Sequence, residues 1–137
     1  MMEWVFDASV TIAWCFDDER SPETEELLDR LVARSPAVVP QIWPLEIANV
    51  TTLAMRRGRI NAAKRLEFLS MLESATIAVD HSAMNWIFRD VIQLADKYKL
   101  TSYDASYLEL AMRLGIPLAT LDKDLLRASR DAGVKLL

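Results

Sequence analysis

Two textures of apolar and polar positions alternate along the chain. Short, mostly apolar runs occur at Trp4-Val5-Phe6, Ala37-Val38-Val39, Ile77-Ala78-Val79, Ile116-Pro117-Leu118-Ala119 and Val134-Lys135-Leu136-Leu137. Runs of this length without polar alternation predict strands buried on both faces. Between them, apolar residues recur at steps of three and four. Ser21 through Arg34 carries Leu27, Leu28, Leu31 and Val32, with Pro22 placed for a first turn. Pro44 to about Arg57 is predicted helical and stopped by Gly58, and Asn61 is placed to cap a helix bearing Leu66, Leu69 and Leu72. Met84, Ile87, Val91, Leu94 and Tyr98 predict one amphipathic helix whose stripe, like the four tryptophans, joins the core. A helix opened by Thr101 or Ser102 ends at Gly115, and a last short one spans Lys123 to Ala132. Strands alternating with helices predict an α/β fold: one domain over residues 1–137, a mainly parallel five-stranded sheet and helices on both faces. Such sheets bind ligands beyond the carboxyl ends of their strands.

Composition narrows the class. The chain has 137 residues, 52% apolar and 26% charged, which suits one packed domain rather than disorder. No apolar run reaches the ~20 residues of a membrane span. The opening MMEWVFDAS does not read as a signal peptide. Cys15 is the only cysteine, so neither an internal disulfide nor a cysteine-based zinc site is expected, and a cytoplasmic setting is. Twenty acids against 16 bases give a net charge of −4, unlike a typical nucleic-acid binder. Gathering four acids in one pocket would leave 16 against 16 on the remaining surface.

Four acids fall where such a pocket forms. Asp7 follows the first run in VFDAS, and Asp122 follows the fourth in ATLDKDL. Glu46 in WPLEIAN shares a helical stripe with Val50 and Leu53, and Asp104 in TSYDASYLELA shares one with Leu108 and Ala111. Each has a local alternative, because acids are favoured at helix N-termini, and Thr101 with Asp104 fits a capping box. Taken together, four clustered carboxylates would repel one another unless a cation held them. Oxygen-only ligation suits Mg²⁺ or Mn²⁺. His81, the only histidine, lacks the partners that base catalysis requires. Arg56, Arg57, Arg59, Lys64 and Arg65 are candidates for RNA phosphates or for a solvated helix end.

Taken in order, VFDAS, PLEIAN, TSYDASYLELA and LATLDKDL resemble the PIN domain, and more narrowly the VapC-type toxins of toxin–antitoxin pairs. The resemblance implies a metal-dependent endoribonuclease with Asp7, Glu46, Asp104 and Asp122 as catalytic acids and ligands of Mg²⁺ or Mn²⁺. Asp124 is a further candidate ligand. Ser9 and Thr120 match small hydroxyl residues that orient the ligands or touch substrate. It also implies an RNA substrate (tRNA, rRNA or mRNA), a VapB-like antitoxin, a homodimer and no membrane. Two alternatives stand beside it. One is a receiver-like phospho-acceptor using Asp80; the other is a PIN fold that binds RNA or a protein without cutting.

Overall fold

The computed structural model describes residues 1–137. Its strands are β1 (Trp4–Phe6), β2 (Ala37–Pro40), β3 (Ile77–Asp80) and β4 (Leu118–Ala119). The helices are α1 (Ala8–Cys15), α2 (Pro22–Val32), α3 (Trp43–Arg56), α4 (Ala62–Ser74), α5 (Met84–Trp86), α6 (Ile92–Tyr98), α7 (Ser102–Leu114) and α8 (Lys123–Asp131). The sheet order is β3-β2-β1-β4, and every pairing is parallel. Parallel neighbours require crossovers, and helices fill each of them. The carboxyl ends of all four strands therefore share one edge.

Local chemistry explains the helix ends. Ser21 and Thr24 exchange hydrogen bonds in a capping box that starts α2. Thr101 accepts from the Asp104 N–H at the start of α7, which closes on Gly115 at φ 65°. That left-handed conformation is open to glycine without the usual steric penalty.

The core is aromatic beneath the shared edge. Phe6 lies 5.2 Å from Trp14 and 5.7 Å, edge-on, from Trp43. Burying one such ring contributes about 1.5–3 kcal/mol. Both indoles find acceptors, Trp14 Nε1 donating to the Thr24 carbonyl and Trp43 Nε1 to Thr11 Oγ1. This packing fixes the backbone from which Asp7 emerges.

Several expectations change. The sheet has four strands rather than five; the run Val134–Leu137 forms only an isolated parallel bridge, Leu136 to Leu118. Helix α1 escapes the periodicity because Val10, Thr11, Ala13, Trp14 and Cys15 are all buried, leaving little polar contrast to read. The stripe Met84–Tyr98 is not one core-facing helix. A π-helical turn, Ile87–Val91, interrupts it, Val91 alone is fully buried, and Met84, Trp86, Phe88 and Ile92 are exposed. Of the four tryptophans, Trp86 lies outside the core. The receiver-like alternative fails on topology. Receiver sheets place the first strand between the second and third; here β1 sits between β2 and β4. Asp80 is also tied to Arg113 Nη2 at 2.6 Å and accepts from Ser82 Oγ.

Candidate functional site

Asp7 is the first residue past β1, and 3% of it is exposed. Its carboxylate accepts three hydrogen bonds. Oδ1 accepts from Ser9 Oγ at 2.6 Å and from the Val10 N–H at 3.2 Å, which makes Asp7 the N-cap of α1. Oδ2 accepts from Thr120 Oγ1 at 2.5 Å. Ser9 Oγ accepts from the Leu121 N–H, and Thr120 Oγ1 accepts from the Asp122 N–H. The two hydroxyls thus join the end of β1 to the end of β4, more than a hundred residues apart.

Asp122 is half-buried and caps α8 through a bond from the Leu125 N–H to Oδ1 at 2.8 Å. The helix-capping role expected as the local alternative is thus present at both strand-end acids. Glu46 stands in the first turn of α3, half-buried, and its Oε1 accepts from Tyr107 Oη at 2.6 Å. Asp104, also half-buried, occupies the first turn of α7 one turn before Tyr107.

These acids feel one another. Burial raises the Asp7 pKa from its ordinary 3.8 to about 6 against the pull of its three hydrogen bonds, and the charge of Asp104 adds to the rise. Burial likewise raises Glu46; the Tyr107 hydroxyl opposes it and Asp104 adds to it. Asp104 itself is raised by burial and by the charges of Asp122 and Asp124. Asp104 is the hub that each of the others touches electrostatically. No lysine or arginine forms an ion pair with Asp7, Glu46, Asp104 or Asp122. Asp124 differs, being exposed and paired with Arg127 at 2.8 Å.

Carboxylates that feel one another's charge and have no cationic partner suit a hard cation. No three acidic side chains are gathered tightly enough to ring one ion directly. The donor set nevertheless fits Mg²⁺, which commonly uses one or two carboxylates and completes its shell with water. Asp7, Glu46, Asp104 and Asp122 are the residues that could hold it.

Tyr107 is the functional candidate that the sequence hid. It is 1% exposed, and burial together with its bond to Glu46 pushes its hydroxyl pKa far up, so it stays a donor. Its position three residues after Asp104 was readable; its partner, 61 residues away, was not. His81 is exposed just past the end of β3. Of the basic residues, Arg59 is held by Asp18 and Glu19 and Lys64 approaches Asp17 at 3.9 Å, whereas Arg56, Arg57 and Arg65 make no ion pair. Arg56 ends α3, roughly 15 Å along its axis from Glu46.

The fold is an open parallel sheet with Asp7 and Asp122 at the carboxyl ends of two adjacent strands. The PIN domain family model matches residues 4–131, and the chain belongs to that family. Ribonuclease VapC3 of Pyrobaculum aerophilum is 30% identical over 125 residues, covering 90% of this chain and 92% of the relative. Among solved structures, PAE2754 of the same organism superposes with a TM-score of 0.73 at 24% identity, over 98% of this chain and 83% of that one. The Mycobacterium tuberculosis toxin VapC20, described as cleaving the sarcin–ricin loop, gives 0.63 at 15% identity over 92% and 95%. At these identities the structural likeness speaks for the fold.

Proposed function

We propose that this chain is a divalent-metal-dependent endoribonuclease and the toxin of a VapBC-type toxin–antitoxin pair. The observation that carries the reading is that Asp7 and Asp122 at the strand ends and Glu46 and Asp104 in two helix first turns all lack a cationic partner at one edge of the sheet. The relative named ribonuclease VapC3 supports the reaction, and the antitoxin partner follows from the VapC-type resemblance of the sequence. The whole span 1–137 would act as one nuclease unit in the cytoplasm, as a homodimer. No helix is long and apolar enough to cross a membrane.

The residues divide the work. A bound Mg²⁺ or Mn²⁺ would lower the pKa of a water and relieve charge on the phosphate. Asp7 is presented rigidly because Ser9, Val10 and Thr120 leave its carboxylate no freedom to rotate. Glu46 Oε1 is held by Tyr107, which leaves Oε2 to accept a proton from the attacking water. Asp104 and Asp122 complete the oxygen donors, and the exposed, arginine-paired Asp124 is the weaker candidate.

Purified protein incubated with single-stranded RNA and Mg²⁺ or Mn²⁺ tests this. Cleavage that ceases on chelation, and is lost in Asp7→Asn and Asp104→Asn, is the expected outcome. Unchanged cleavage in either variant would remove the site assignment. Induction in cells is expected to arrest growth in the wild type and not in Asp7→Asn.

A further inference from the structure

We infer that the cleft beside the acidic site holds one unpaired RNA base, stacked on Tyr103, next to the phosphodiester to be cut; this rests on the ribonuclease reading. The cleft has a volume of about 230 Å³ and opens at the carboxyl ends of β2 and β3, where Pro40 and Asp80 line it. Helix α7 is its shared wall. Ser102, Ser106 and Glu109 line the cleft from one stripe of that helix. Asp104 and Tyr107 occupy the neighbouring stripe with the acids. The two stripes are separated by no more than the width of a helix, about 10–12 Å with side chains, which is within the reach of one nucleotide.

Size and chemistry select the occupant. Pockets for drug-sized molecules run to roughly 300–1,000 Å³, so a single flat heterocycle suits 230 Å³ better. Tyr103 is 61% exposed at the rim, a free aromatic face of the kind on which unpaired RNA bases stack. Gln41 and Ser102 also line the cleft, and their side chains make no hydrogen bond within the protein. They are free to meet a base edge. The inner wall holds two carboxylates, Asp80 and Glu109, against the single guanidinium of Arg113 that binds both. That excess of negative charge repels a phosphate and favours an exocyclic amine. The far wall includes Ile87 and Val91 from the π-helical turn, a geometry frequent at functional sites.

The test uses short single-stranded RNAs with 2-aminopurine at successive positions, bound to the non-cutting Asp7→Asn chain. Quenching at one position, lost with about tenfold weaker binding in Tyr103→Ala and restored in Tyr103→Phe, is expected. In parallel, the wild type and Tyr103→Ala are compared on a randomised RNA pool. The wild type is expected to prefer amine-bearing bases at one position beside the cut, and the variant to lose that preference. Tyr103 is exposed, so the variants should fold, and Mn²⁺ titration should be unchanged. RNA that binds without quenching, or a preference untouched by Tyr103→Ala, overturns the inference. A wild type that cuts no RNA defeats the ribonuclease reading, while the quenching experiment still decides the cleft.

Discussion

Asp7 carries the sharpest consequence at the scale of a residue. Its pKa lies near 6 when folded and at 3.8 ordinarily, so between those values the folded chain binds more protons than the unfolded one. Stability then falls as pH rises through that window. A shift of about two units corresponds to about 3 kcal/mol. Thermal unfolding of the metal-free protein should therefore show a higher melting temperature near pH 4 than near pH 7, once other titrations are subtracted with Asp7→Asn. At neutral pH and without metal, Asp7→Asn is expected to be the more stable chain, and added Mg²⁺ to stabilise only the wild type. Tyr107→Phe removes a single hydroxyl and frees Glu46. Outer-shell partners of this kind change metal affinity by about 10–100-fold. Calorimetric Mn²⁺ titration should register that loss while unfolding changes little. The four acids were legible because strand ends and helix first turns are marked by local sequence. The Tyr107–Glu46 bond depends on how α7 seats against α3, and no local pattern encodes that.

At the scale of the element, the segment between β3 and α7 departs most from expectation. Steps of three and four from Met84 to Tyr98 match a regular α-helix. The π-helical turn at Ile87–Val91 admits an extra residue and rotates the downstream helix by about 100° relative to the upstream one, so one stripe cannot face the core throughout. A clasp holds this segment down. Arg113 on α7 binds Glu109 at 2.8 Å and Asp80 at 2.6 Å, and lies 5.2 Å over the Trp86 ring. Both carboxylates push the guanidinium pKa upward, so its charge is permanent. Glu109 is 5% exposed, and Arg113→Met would strand its charge. Leaving such a group unsatisfied costs about 1–3 kcal/mol. Denaturant unfolding should show that loss, and hydrogen exchange should show faster opening confined to residues 81–91.

For the whole molecule, chain order and spatial order differ in a way that matters. The central strand is the first one made, and it is enclosed by β2 and β4, the latter more than a hundred residues later. The outer side of β4 is covered only by the last residues: Leu118 N–H donates to the Lys135 carbonyl, and Leu137 N–H to that of Leu118. Removing residues 134–137 is expected to lower the melting temperature and to reduce RNA cleavage more than Mn²⁺-independent RNA binding, because β4 delivers Thr120 and Asp122. Alternation of strands and helices was enough to read the parallel sheet. The fifth run was overestimated because an apolar sequence does not say whether enough backbone remains to build a ladder.

The carboxylates at positions 7 and 122 each start a helix and are also two of the acids proposed to hold the ion. Asparagine caps a helix about as well as aspartate, whereas alanine forfeits roughly 1 kcal/mol. A descendant of this chain that lost its chemistry yet kept its shape would thus be expected to carry an amide at those two places, a recognisable scar of a silenced enzyme.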